Sequence, residues 1–133
     1  MRKRFIYSIF LLALGVQPLA FSLSMAQDVT NVVVLPFEVH ARDDISNFRV
    51  QILEAIASSL DETKGIRVIA GDRLKDVVLE KAIKIFDEDA AGVVGKELSA
   101  NYVVLGSISK LGKRYSIDAK VYNVGQDKLS SIS

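Results

Sequence analysis

The chain has 133 residues, no cysteine, one histidine, and 17 Lys+Arg against 16 Asp+Glu, for a formal charge of +1. That balance lacks the basic excess of a nucleic-acid-binding face. The missing cysteine removes disulfides and thiolate metal sites, so a domain of this size must be held by its core alone.

The first 26 residues have a layout of their own. Arg2, Lys3 and Arg4 form a basic head, and Phe5 to Leu14 is an apolar stretch. Gly15 and Pro18 weaken any helix, and Ser24-Met25-Ala26 precedes Gln27. Small residues at the first and third positions before Gln27 suit the narrow pocket of a signal peptidase. Residues 1–26 therefore read as a secretory signal peptide cut between Ala26 and Gln27. The competing reading is an uncleaved membrane anchor, but Ser8, Gln17 and Pro18 interrupt Phe5 to Leu23. A span needs roughly 20 apolar residues. Without cysteine, the lipid-anchored version of such a leader is excluded. Cleavage leaves 27–133 with 14 basic and 16 acidic residues, a net charge of −2. Both methionines, Met1 and Met25, lie in the leader, so the expected core uses Val, Ile, Leu, Ala and a few aromatics.

Asn31 to Phe37 (NVVVLPF) is a continuous apolar run, which predicts a strand buried on both faces. Pro36 has no N–H for a ladder and marks its end. Asp43 and Asp44 offer an N-cap. Ile45, Phe48, Ile52, Ile56 and Leu60 then recur at helical spacing with Leu53 beside them, an amphipathic helix covering a sheet. Lys64 and Gly65 are expected to close it. Ile66 to Ala70 reads as a second strand. Gly71-Asp72 turns into a helix through Leu74, Val77, Val78 and Ala82, capped by Asp72. Asp87-Glu88-Asp89 opens a third helix that continues through Ala90, Val93, Val94 and Leu98. Tyr102 to Ser109 is a strand, and Leu111-Gly112 is a turn. Arg114 to Val124 alternates, with Tyr115, Ile117, Ala119 and Val121 on one face and Ser116, Asp118 and Lys120 on a wetter one. Lys128 to Ser133 begins another strand. The fold class is α/β, a mixed sheet in the order β-α-β-α-α-β-β-β with helices packed on it. Parallel strands come first and a meander follows. One further covering helix is expected beyond Ser133, which makes 27–133 a truncated domain in this reading.

No constellation predicts catalysis. His40 reads as a solvated loop residue rather than part of a triad or metal site. The spacing after Asp87-Glu88-Asp89 fails the calcium-loop pattern, so capping is the better reading. Gly92-Val93-Val94-Gly95-Lys96 departs from a phosphate loop in spacing and in the Glu97 that follows, so the glycines are expected to let the helix lie close on the sheet. Tyr102, Tyr115 and Tyr122 are assigned to packing. Lys110, Lys113 and Arg114 cluster at the hairpin tip and could meet anionic headgroups or an acidic partner, although a solvated turn is the default.

Several blocks carry a resemblance. Val33-Val34-Leu35-Pro36-Phe37, Gly65 to Ile69, Ala91 to Leu98, and Ala100-Asn101-Tyr102-Val103-Val104-Leu105-Gly106-Ser107-Ile108 together resemble the amino-terminal domain of TolB and its CsgG-like and FlgO-like envelope relatives. Ala100-Asn101 departs from the Ala-Asp usual there. A narrower resemblance joins the leader, "VVVLPFEVHA" and "YSIDAKVYN" to the extension that opens some BamA-type outer-membrane assembly factors. These resemblances imply a non-catalytic periplasmic protein-interaction domain without cofactor, placed in the periplasm with outer-membrane association. The implied partners are envelope proteins, outer-membrane assembly or Tol-type components, with no nucleic acid. Membrane contact would come through further C-terminal domains or a surface association. The wider resemblance leaves open a subunit of an envelope secretion or flagellum-associated structure. A small exported enzyme is a third reading that no residue pattern supports. Export predicts a processed product whose amino terminus is Gln27, read by mass spectrometry of the periplasmic fraction. A cytosolic product that retains Met1 would contradict it.

Overall fold

A computed structural model describes residues 28–132; the signal-peptide reading, with Ala26 and Gln27, falls outside them. The elements are β1 (Thr30–Val34), β2 (Glu38–His40), α1 (Ser46–Asp61), β3 (Ile66–Ile69), α2 (Asp72–Glu80), α3 (Glu88–Glu97), β4 (Tyr102–Leu111), β5 (Arg114–Asn123) and β6 (Lys128–Ser131). They build one mixed sheet in the order β3-β1-β4-β5-β6, with β2 also beside β4. β1 runs parallel to β3 and to β4, while β4, β5 and β6 form an antiparallel meander. Helix α1 covers one face and α2 and α3 the other, which is the mixed α/β architecture expected. Among the described residues no helix is long and apolar enough to cross a membrane.

The apolar run after Asn31 holds the main departure from expectation. It does not end at Pro36 but resumes as β2, so one strand more than predicted enters the sheet. β1 pairs Val34 with Val104, and β2 pairs Glu38 with Ser107. Four residues on one side thus oppose three on the other, a one-residue bulge at Leu35-Pro36-Phe37. Leu35 still donates its N–H to the Val104 carbonyl at 2.9 Å, so the extra residue is the proline, which has no N–H to strand. A one-residue slip moves every following side chain to the opposite face. Val33 and Leu35 face α2 and α3, whereas Phe37 and Val39 join Val32 and Val34 under α1. Leu35 and Phe37 are both fully buried. The bulge also makes His40 the last residue of β2, exposed, instead of a loop residue.

The predicted stripe of α1 is the observed one: Ile45 is buried and Phe48, Ile52, Leu53, Ile56 and Leu60 pack on the same cluster. Its ends differ. Asp44 lies one residue before the N-cap Ile45 and accepts from the Ser46 N–H and hydroxyl at 2.9 and 2.5 Å. The Ser46 hydroxyl and then its N–H hold the Asp44 carboxyl below its ordinary range. Asp43 turns away to Lys110. The helix stops at Asp61, before Lys64, and Gly65 (φ +85°) belongs to the approach to β3. In α2 the N-cap is Gly71, not Asp72, and Ala82 (φ +52°) lies beyond its end. The third helix follows its prediction at the N-terminus, where Asp87 Oδ1 accepts the Ala90 N–H at 3.0 Å. Its buried face is Ala90, Ala91, Val94, Gly95 and Leu98, while Val93 points outward.

Gly95 explains how α3 comes so close. A Cβ there would stand 2.5 Å from Val124 Cγ2 and 3.1 Å from Val103 Cγ2, whereas one at Gly92 would meet the Tyr122 hydroxyl at 3.3 Å. Alanine restores helix propensity worth about 0.5–1 kcal/mol, but overpacking a tight core costs about 1–3 kcal/mol. Gly95→Ala is therefore expected to lower unfolding free energy by about 1 kcal/mol or more, and Gly92→Ala to be close to neutral. Urea denaturation of the two variants checks this.

Candidate functional site

The β4–β5 hairpin is buried at its base and exposed toward its tip, from Leu111 to Asp118. Its two strands pair at ten positions, from Tyr102 with Asn123 to Leu111 with Arg114, around a turn at Gly112-Lys113. Gly112 takes φ +64°, a value that favours glycine in a tight hairpin turn. Neither strand keeps an outer neighbour for its full length. β2 accompanies β4 only as far as Ser109. β6 pairs β5 only over Lys120–Asn123, with the Ile132 N–H reaching the Ala119 carbonyl at 3.0 Å. Below Ala119 the outer edge of β5 is unpaired within the described residues.

The ladder's alternation says which groups that edge presents. Ala119 bonds toward β6, so Ile117 and Tyr115, two and four residues earlier, turn their N–H and C=O outward. The side-chain parity predicted for β5 is the observed one, with Tyr115, Ile117, Ala119 and Val121 sharing a face. The burial is not as predicted. Tyr115 and Ile117 are 45% and 44% exposed, because α1 lies over β3 and β1 and reaches β5 chiefly through Phe48. The Phe48 and Tyr115 rings are 4.3 Å apart. The opposite face, expected to be wet, carries the buried Tyr122 under α3.

The cations singled out at the tip have different surroundings. Lys110 Nζ lies 2.5 Å from Asp43 Oδ2 and 5.6 Å above the Tyr115 ring. The Asp43 hydrogen bond raises the Lys110 ammonium above its ordinary value, so Lys110 braces the hairpin against the β2–α1 connection. Lys113 and Arg114 make no ion pair among the described residues. Arg42 borders a hollow with Asp43, Lys110, Leu111 and Gly112. Sequence reasoning missed Arg42, which is distant in the chain, and Leu111, which it treated only as part of a turn. Leu111 is 80% exposed.

A second feature lies on the α2–α3 side. A groove of about 610 Å³ runs between the α2–α3 connection and the β5–β6 end, lined by Phe86, Leu129 and Ile132 and by the carboxylates of Glu38, Asp87 and Asp118. His40 opens onto it. Glu38 Oε2 accepts the Phe86 N–H at 3.1 Å, which fixes the connection to β2. At the other end of the sheet, the Tyr122 hydroxyl donates to Asp127 Oδ1 at 2.6 Å, and Lys96 stands 3.4 Å from the same oxygen. The turn between β5 and β6 is thereby pinned to α3. The Asp127 bond, with burial, pushes the Tyr122 phenol up to about 12. The Tyr122 hydroxyl and Lys96 hold Asp127 below the usual carboxylate range.

No protein-family model matches the chain, and no curated protein matches it in sequence. Its fold is similar to solved structures. The LpoB C-terminal domain from Escherichia coli shares 11% identity with a TM-score of 0.61, over 78% of this chain and 82% of that one. Lipoprotein GNA1162 from Neisseria meningitidis shares 14% identity with a TM-score of 0.59, over 77% of this chain and 78% of that one. TolB from Acinetobacter baumannii shares 11% identity with a TM-score of 0.51, over 80% of this chain but only 23% of TolB. At such identities the likeness is one of fold. It bears out a TolB-like fold and carries nothing specific to an outer-membrane assembly factor.

A phenol pushed above its unfolded value binds its proton more tightly in the folded state. Its contribution is complete below pH 10 and is lost as pH rises toward about 12. In Tyr122→Phe that alkaline decline is expected to shrink relative to the parent chain, as is the overall stability at neutral pH. Denaturation midpoints followed from neutral pH to the alkaline limit check both.

Proposed function

We propose that this chain is a non-catalytic protein-interaction module of the bacterial cell envelope, exported by its leader into the periplasm and, on the narrower sequence resemblance, the leading module of an outer-membrane assembly factor. The observation that carries the reading is the open edge of β5. Among the described residues its backbone groups at Tyr115 and Ile117 have no strand partner, on a fold similar to that of TolB and of a lipoprotein. Unpaired strand groups accept an added strand, with affinity from main-chain bonds and selectivity from alternate side chains. Here the alternation would set an apolar partner side chain beside Ile117 and a polar one beside Asp118. The partners under this reading are envelope proteins, and no cofactor or catalytic residue takes part.

Proline discriminates. At Ile117 the N–H faces outward, a position where proline is tolerated by the sheet but closed to a partner strand. Ile117→Pro is expected to unfold within a few degrees of the parent chain yet to lose the envelope protein crosslinked by a photoreactive residue at Ser116 in living cells. Ile117→Ala is expected to keep it. Equal crosslinking in the proline variant, or adducts confined to cytosolic proteins, would overturn the reading.

A further inference from the structure

The hairpin tip carries an inference separate from the strand edge. Leu111 is 80% exposed at the end of a two-stranded arm that runs on past Ser109, the last β4 residue that β2 pairs. An aliphatic side chain that exposed gains little from burial in the isolated domain. Around it stand Arg42, Lys110, Lys113 and Arg114. Against Asp43 and Asp44 these four leave the tip at +2, although residues 28–132 together carry 14 basic and 16 acidic groups. The remainder of the domain therefore carries −4.

We propose that this tip seats the domain on an anionic lipid bilayer surface, with Leu111 entering the headgroup layer and Lys113, Arg114 and Arg42 meeting headgroup phosphates. Two arguments from charge select a bilayer over an acidic protein. A planar field of negative charge satisfies any outward-facing cation without a matched partner geometry. The negative remainder is repelled by the same surface, so the domain's own field turns the tip toward it. Lys110 stays committed to Asp43 and holds the arm in place rather than serving as a headgroup contact. The attraction combines the burial of one leucine with two or three surface cations, which makes the contact reversible and salt-sensitive.

The chain has no cysteine, so Leu111→Cys labelled with a nitrobenzoxadiazole dye reports the tip alone, whatever the leader does in the full-length protein. Vesicles of phosphatidylcholine mixed with phosphatidylglycerol are expected to raise and blue-shift its emission, and phosphatidylcholine alone to leave it unchanged. The same dye at Leu79, which is 78% exposed on α2, is expected to stay silent. Adding Lys113→Glu and Arg114→Glu, or Gln at both, is expected to weaken the response by about tenfold or more. These sites are exposed, so thermal midpoints should not move. The proposal fails if Leu111 stays dark, if both dye sites or both vesicle types respond equally, or if soluble polyglutamate gives the same signal. Failure would leave the strand-edge reading intact, because Ile117→Pro does not touch the tip.

Discussion

The sheet depends on a single requirement, that its central strands be buried on both faces at once. β1 and β4 lie between α1 on one side and α2 with α3 on the other, so every residue along Val32–Leu35 and Val103–Leu105 needs an apolar environment regardless of parity. Side chains of this kind are each worth about 1.5–3 kcal/mol when taken from water. The bulge at Pro36 makes the arrangement consistent beyond β1. It lets Phe37 join the α1 cluster while Leu35 keeps its place against α3, and it does so where a missing N–H leaves no donor stranded. Gly106 completes the fit, since Phe37 lies over the place a Cβ would occupy there. Without the slip, Phe37 would share a face with Leu35, and Glu38 would point toward α1 instead of binding the Phe86 N–H.

What was legible in the sequence follows from which forces act locally. The apolar stripe of α1, the cap at Asp87 and the packing role of the Gly92–Gly95 pair are set by short-range periodicity, side-chain chemistry and size, and all three were readable. β2 was not. Only three residues long, it is defined by pairing with Ser107–Ser109, nearly 70 residues away, and a proline two residues before it ordinarily signals the end of a strand. The exposure of Tyr115 and Ile117 was hidden for a related reason. Alternation shows which residues share a face, but not that α1 spends its width on β3 and β1. Among the tip residues, charge was visible in sequence, whereas the commitment of Lys110 to Asp43 required the β2–α1 connection to be folded beside it.

The arm and the core also divide their tasks by stability. The core is closed by interdigitated apolar groups and by the Tyr122–Asp127–Lys96 contact that fastens the last turn to α3. The arm beyond Ser109 has a complete internal ladder but little cover. It ends a ladder of ten paired positions and is held in direction by Phe48 against Tyr115 and by Lys110 against Asp43. Under the proposed reading the edge that receives a partner cannot be covered, yet an uncovered hairpin alone is marginally stable. Anchoring its base in the core and bracing its side resolves that conflict.

The brace also shows why the three cations of the hairpin itself, Lys110, Lys113 and Arg114, are not equivalent. A cation that fixes geometry must remain charged and engaged, and the Asp43 hydrogen bond that raises Lys110 does both. Its charge is then largely offset by its partner and is weakly felt from outside. Lys113 and Arg114 lie within four residues of it and are offset by nothing nearby among the described residues. The local field at the tip is consequently set by the residues that contribute least to the fold. A substitution there changes the charge that the surface presents without changing what holds the hairpin together.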